Sequence, residues 1–367
     1  MPSPSPSPEL VEFPDRAPKD SVIARIRGLL AEGRLVAMPT ETVYGLAARA
    51  DHPSALAALV ETKGRDQAKT FTWHASGPEA LTGSFELLPL ARRLADRYWP
   101  GPLTLVLRGG PQELAPIAPE GRLGVRVPAH EGTRAVLRAC PFPVVMSSAN
   151  RSGEASFTDA GQLAEAFAGA ASLDLVLDGG PSRLAEASCV LKLEVGSMEM
   201  LRPGLLQLAD LRRAAGLSIA FVCTGNTCRS PMAEALARAE LEKRLGVAEL
   251  ENFGFHVRSM GVMAGAGAPP SDHSVTAMAG RGLDLSAHAS SPVIPEEIAE
   301  FDRVYCLTSS HARALVASLP PGRAGNVELL DPAGGDVPDP FGGSSEVYER
   351  CARAIEAMVA ERAADWA

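Results

Sequence analysis

SIAFVCTGNTCRSPMAEALARAELEKR, residues 218–244, changes its pattern halfway along. SIAFVC is a short continuous apolar run of the kind that forms a strand buried on both faces of a parallel sheet. RSPMAEALARAELEKR has helical spacing, with Pro231 in the first turn, where its fixed φ is tolerated. Between the two, Cys223 and Arg229 are separated by five residues of mostly small or turn-forming type. A strand, a tight loop and a helix start in that order allow backbone N–H groups to turn inward around a tetrahedral anion, and the helix dipole adds positive potential.

Such a cradle stabilises a thiolate with the same donors that hold a phosphate, so Cys223 reads as a nucleophile. The planar fork of Arg229 suits two phosphoryl oxygens and gains most as charge develops in a transition state. Ser230 is positioned to donate to the sulfur, and Asn226 to hold the loop shape. Thr224, Gly225, Thr227 and Cys228 complete the loop. A leaving group needs a proton, and the Pro-flanked stretch DVPDPF supplies Asp339 as the acid, with Asp336 as the runner-up. Taken alone, a Cys-x5-Arg string is more simply a strand-end cysteine and a capping arginine; the distant acidic loop is what argues against that reading.

The chain has 367 residues, 46% hydrophobic and 22% charged, enough for two cores. A formal net charge of −9 argues against a protein that holds nucleic acid by bulk positive charge. No stretch approaches the ~18 apolar residues of a membrane span, and MPSPSPSPEL has no signal-peptide pattern, so a cytoplasmic protein without membrane contact is expected. The six cysteines are too few and too scattered for a disulfide scaffold or a structural zinc site, and no metal site is expected. Residues 1–20 read as a disordered tail on the strength of their Ser-Pro repeat. Helices are expected at 22–33 and 54–64 and a strand at 34–40, and the segment 205–216 ends at Gly216. A boundary near Gly216 separates 23 basic and 24 acidic residues from 12 and 20, giving units of 21–210 and 217–367.

The first unit contains no Walker string, yet hydroxyl and cationic residues recur at the ends of apolar runs. PTETVYGLAA carries Thr42, and KGRDQAK carries Lys63, Arg65 and Lys69, followed by His74. GVRVPAH contributes Arg126, VVMSSANRSGEAS contributes Ser148, Asn150 and Ser156, and Ser188 and Arg202 come last. Each string alone is a turn, a capped strand or a solvated charge run.

In this order, the strings resemble the Sua5/YrdC/YciO family over residues 21–205. The resemblance implies a twisted α/β sheet and a synthase making threonylcarbamoyl-AMP from L-threonine, bicarbonate and ATP, with Mg²⁺ accompanying the ATP, for the modification of tRNA. Thr42, His74, Arg126 and Ser188 would face threonine. Lys63, Arg65, Lys69, Ser148, Asn150, Ser156 and Arg202 would face ATP. KGRDQAKTF, ASCV and Met146 depart from the family's usual strings, which leaves open a YciO-like module that binds RNA or nucleotide and regulates its neighbour.

VCTGNTCRSPMAEAL with the later DPF resembles the low-molecular-weight protein tyrosine phosphatase family over residues 217–367. That implies a Rossmann-like parallel sheet, a phosphoprotein substrate and no cofactor. CTGNTCRS, with Thr227 in the loop, looks like the protein-arginine phosphatase branch. An arsenate reductase is the competing reading, and a reversible Cys223–Cys228 disulfide is a further expectation. The whole chain is thus expected to be a two-domain α/β protein.

Overall fold

The computed structural model describes residues 7–64, 70–85, 87–320, 322 and 324–367. The chain divides into two compact units, Met1–Leu211 and Arg212–Ala367.

Ten strands form the sheet of the first unit: β1 (Glu9–Glu12), β2 (Leu35–Met38), β3 (Gly45–Arg49), β4 (Thr72–His74), β5 (Leu103–Arg108), β6 (Arg122–Arg126), β7 (Val144–Ser148), β8 (Leu173–Asp178), β9 (Cys189–Glu194) and β10 (Ser197–Arg202). Their spatial order is β1-β8-β2-β3-β7-β4-β6-β5-β9-β10. The sheet is mixed. Strands β4 and β6 run parallel and pair His74 with Arg126, whereas β3 and β7 run antiparallel and pair Gly45 with Ser148. Register alone therefore brings four sequence-distant segments to one edge of the central strands. Beneath them, Ile26 and Leu30 of the helix Asp20–Ala31 pack with Val36, Met38, Ala47, Leu175 and Leu177. Those side chains recur at helical spacing on the helix and at alternate positions on the strands, the two periodicities that build one apolar layer.

The tail expectation needs correction. Residues 1–6 lie outside the described residues, but Glu9–Glu12 is a strand paired in parallel with β8, and Phe13 is fully buried. The Ser-Pro composition concealed ELVEF, whose Val11 and Phe13 join the core cluster.

The second unit has four strands, β11 (Ser218–Cys223), β12 (His256–Gly261), β13 (Arg303–Cys306) and β14 (Val327–Leu329), in the order β12-β11-β13-β14. All three pairings are parallel. The strand β11 is central and almost wholly buried, as its unbroken apolar run requires. The helix Arg229–Leu245 follows it and ends at Gly246, whose φ of +66° provides the left-handed cap. No helix among the described residues is long and apolar enough to cross a membrane.

Candidate active sites

The first unit contains a cavity of about 690 Å³ lined by His74, Arg126, Ser148, Ser188 and Arg202 among others. Arg126 organises its floor. One guanidinium nitrogen donates to Glu41 Oε1 and to Thr42 Oγ1, each at 2.7 Å, and Nε donates to the carbonyl of Gly101. The Arg126–Glu41 ion pair is 6% and 4% exposed. Glu41 Oε2 accepts the N–H of Ala129 at 2.9 Å, so both carboxylate oxygens are used, as a buried charge requires. Glu41 was missed in the sequence; its only signal is its place in PTET, between two hydroxyls.

His74 donates from Nδ1 to the carbonyl of Thr72 at 3.1 Å. Burial, reinforced by the charge of Arg126, pushes its imidazole down to about 3. The ring is therefore neutral at pH 7 and keeps Nε2 as an acceptor. Opposite, Arg202 donates to the Ser188 carbonyl at 3.0 and 2.8 Å and to Ser188 Oγ at 2.9 Å. Burial and the nearby Arg126 hold its guanidinium below the ordinary arginine range. Thr104, also missed, lies 3.0 Å from the Ser188 hydroxyl.

The remaining phosphate-facing candidates form a separate cluster. The Lys63 ammonium is 4% exposed as part of its residue and donates to the carbonyls of Ser148 and Asn150. Asn150 Oδ1 accepts from Ser148 Oγ at 2.5 Å and from Ser156 Oγ at 3.3 Å. In this arrangement Lys63 braces the loop after β7, and only Ser148 of that cluster borders the cavity. Arg65 and Lys69 lie outside the described residues. Among the described residues no group of three or more His, Cys, Asp or Glu is placed to hold a metal ion.

The loop of the second unit closes around a sulfur. Cys223 Sγ accepts the N–H of Asn226 at 3.3 Å and lies 3.0 Å from Ser230 Oγ. Asn226 is fully buried with φ +53°, a left-handed conformation that asparagine tolerates better than most residues. Its amide donates at 2.9 Å to both Ser230 Oγ and Ser259 Oγ, its side-chain oxygen accepts from Ser291 N–H at 2.7 Å, and its carbonyl lies 2.8 Å from His288 Nε2. The loop is thus tied to two other segments by one residue. Gly261 permits this approach, because a side-chain carbon there would lie 2.5 Å from the Thr224 carbonyl.

Arg229 is buried. It donates to the Val337 carbonyl at 3.2 Å and to Asp339 Oδ2 at 2.7 Å, while its Nε has no hydrogen-bond partner. That orphan donor belongs to the same guanidinium that meets the acid. Asp336 accepts from the N–H of Ser309 at 2.6 Å at the start of the helix Ser309–Ser318, whose N-cap is Thr308.

Thr224 Oγ1 lies 2.8 Å from His311 Nε2, and Thr308 Oγ1 lies 2.8 Å from His311 Nδ1. Burial, with Arg229 nearby, holds the His311 imidazole below its usual range. His311 was missed, being a lone histidine 88 residues beyond Cys223 in the sequence. Thr227 Oγ1 lies 3.7 Å from Cys228 Sγ, which in turn is 3.4 Å from Tyr348 Oη and 3.5 Å from Ser271 Oγ. All six cysteines are free thiols. Cys306 is wholly buried in the core of this unit, and desolvation pushes it up to about 12.

The fold and these two clusters define a two-unit α/β protein, with a polar cavity on a mixed sheet in one unit and a cysteine held in an amide loop at the end of a parallel strand in the other. The chain belongs to the Sua5/YciO/YrdC family, whose model (described as telomere recombination) matches residues 28–204, and to the low molecular weight phosphotyrosine protein phosphatase family, whose model matches residues 218–365. It is 39% identical over 193 residues to the threonylcarbamoyl-AMP synthase of Pyrococcus abyssi, covering 52% of this chain and 56% of that protein, so it spans about half the length of that relative. It is 36% identical over 152 residues to the protein-arginine-phosphatase of Bacillus subtilis, covering 40% of this chain and 95% of that one. A low molecular weight protein-tyrosine-phosphatase of Streptomyces coelicolor is 42% identical over 149 residues, covering 38% and 87%. Among solved structures, P. abyssi Sua5 complexed with L-threonine matches with a TM-score of 0.51 and 25% identity, covering 69% of this chain and 92% of that one.

Proposed function

We propose that the chain is a bifunctional enzyme: a threonylcarbamoyl-AMP synthase in the first unit and a cysteine-dependent protein phosphatase in the second. For the synthase, the observation that carries the reading is the convergence of His74, Arg126, Ser188 and Arg202 around one cavity, with Thr42 buried behind it and bonded to Arg126. Arg126, already fixed by Glu41, receives the threonine carboxylate, and neutral His74 accepts a hydrogen bond from the substrate. The threonine amine combines with bicarbonate, losing water, to form a carbamate. A carbamate oxygen then attacks the α-phosphorus of ATP, and the bond to the departing pyrophosphate breaks. The protein supplies no nucleophile; it contributes orientation and cationic donors, with Arg202 and Ser148 on the phosphate side. Mg²⁺ would arrive on the ATP, and the product would be handed to an enzyme that modifies tRNA. Threonine-dependent release of pyrophosphate from ATP tests this. Its absence in the wild-type chain overturns the synthase reading and leaves a nucleotide- or RNA-binding module.

For the phosphatase, the contact between Arg229 and Asp339 beside the loop-bound sulfur carries the reading. Cys223 Sγ attacks phosphorus as the bond to the leaving group breaks, and Asp339 gives that group its proton. Water then attacks the phosphocysteine, Asp339 takes the proton, and Ser230 donates to the departing sulfur. Thr227 and the arginine-phosphatase relative favour phosphoarginine as substrate. Purified full-length chain that cleared phosphotyrosine peptides while sparing phosphoarginine protein would reverse that choice. Arsenate reduction dependent on Cys223 and a second cysteine would replace the phosphatase altogether.

A further inference from the structure

Residues 307–311, which follow β13, hold the cysteine loop and the acid segment at the same time. Leu307 donates its N–H to the carbonyl of Val222, the residue before Cys223, at 2.9 Å, and its carbonyl accepts the N–H of Val337, two residues before Asp339, at 2.8 Å. Ser309 donates its N–H to Asp336 Oδ1 at 2.6 Å. His311 then reaches back to the loop, with Nε2 2.8 Å from Thr224 Oγ1. Thr224 directly follows the sulfur-bearing residue. Its carbonyl accepts the N–H of Met263 at 2.9 Å. Met263 comes after β12 and His311 after β13, the two strands that flank β11, so the first turn of the loop is tied on both sides, once through main chain and once through a side chain.

The surroundings of His311 suit it to holding a neighbour and not to moving a proton. The residue is 5% exposed, and both ring nitrogens meet hydroxyls, Nδ1 lying 2.8 Å from Thr308 Oγ1. Burial, with Arg229 nearby, holds the imidazole below its usual range. A neutral imidazole offers one donor and one acceptor, and a threonine hydroxyl serves either need, so each tautomer leaves both buried nitrogens satisfied. Thr308 is the N-cap of the helix Ser309–Ser318 and accepts the N–H of His311. The helix start therefore fixes the ring before the ring fixes the loop.

We propose that His311 is a positioning residue of the phosphatase unit, acting through Thr224 to keep the sulfur in register with the segment that carries Asp339. The inference rests on the phosphatase reading of Cys223 and Asp339 given above. Small displacements matter at such a site, since about 1 Å of misplacement at reacting atoms costs up to about 10²-fold in rate.

Steady-state hydrolysis of a simple aryl phosphate by the full-length chain tests the role, using two side chains that each keep one half of the imidazole. The amide of glutamine reaches the place of Nε2 and retains the bond to Thr224; that of asparagine reaches the place of Nδ1 and retains only the bond to Thr308. His311→Asn and Thr224→Val should each lower kcat about tenfold with KM changed less than about twofold, and the double variant should be no slower than either, because both remove the same bond. His311→Gln and Thr224→Ser should stay within about threefold of wild type, the bond being kept in each. The opposite order, with activity retained in His311→Asn and lost in His311→Gln, would assign His311 to the helix cap alone and overturn the proposal. Multiplying losses in the double variant overturn it as well. If a His311 variant fails to fold, the comparison of Thr224→Val with Thr224→Ser still decides, equal rates for the two counting against the role. A wild-type chain without turnover would sink the phosphatase reading itself, whereas turnover indifferent to all four substitutions sinks only the role of His311.

Discussion

Arg229 Nη2 lies 2.7 Å from Asp339 Oδ2, joining the end of the cysteine loop to a carboxylate 110 residues further along the chain. Arg229 is 5% exposed in its side chain and Asp339 is 53% exposed, so a buried cation meets an acid that remains open to solvent. In the proposed phosphatase reaction an incoming phosphate would compete for the guanidinium, leaving the carboxyl beside the leaving group. Cys223→Ser should abolish hydrolysis of a simple aryl phosphate. Asp339→Asn should slow it by about 10²-fold or more, the usual scale for losing a general acid. An Asp339→Asn rate equal to wild type across pH 5–8 would refute the assignment.

Asp336 gives the contrasting prediction. Because it accepts the Ser309 N–H beside the Thr308 N-cap of the helix Ser309–Ser318, Asp336→Ala should cost about 1 kcal/mol of stability, the scale of one lost hydrogen bond, with kcat unchanged. Thermal unfolding and aryl phosphate turnover, measured on the same sample, separate the two roles.

Glu41 and Arg126 form a buried pair in the first unit. Removing one partner strands the other, and such losses run to about 3–5 kcal/mol. Glu41→Ala should therefore destabilise the first unit severely, whereas Glu41→Gln should fold and show a raised KM for threonine in pyrophosphate release. A threonine KM unaltered in Glu41→Gln would separate this pair from substrate binding.

His74 makes stability depend on pH. Its folded value of about 3 is below the ~6.5 of an unfolded chain, so the unfolded state binds more protons between those values. The stabilisation is present in full above about pH 6.5 and is lost as pH falls towards 3. Denaturant unfolding at pH 4, 5.5 and 7 should show a smaller acid loss in His74→Gln than in wild type; equal losses would contradict a neutral buried imidazole.

Asn226 holds a left-handed φ and fixes the loop to Ser259 and Ser291. Asn226→Ala leaves buried partners unsatisfied and strains the backbone, so activity should fall at least tenfold with a lower unfolding temperature. Retained activity in Asn226→Ala would show that the loop keeps its shape without these bonds.

The cysteine loop was legible because its parts are contiguous: SIAFVC forms the strand, RSPMAEAL starts the helix, and the sulfur and guanidinium are set by the few residues between them. The cavity around Arg126 was legible only as an ordered set of strings, and its keystone Glu41 was overlooked because one acidic residue among hydroxyls carries no period or spacing. His311 and Thr104 escaped for the same reason: each matters through a neighbour brought near by a strand pairing. The strand Glu9–Glu12 was hidden by the composition of the residues before it.

Local chemistry along the chain settles which segments become strands, helices and anion-cradling turns, since periodicity, proline placement and small loop residues act over a few positions. Which carboxylate reaches Arg229, which one accepts the Ser309 N–H, and which side chains meet Arg126 depend on strand order and register. Those are set by burial summed over the whole sheet, and no short stretch of residues contains that sum.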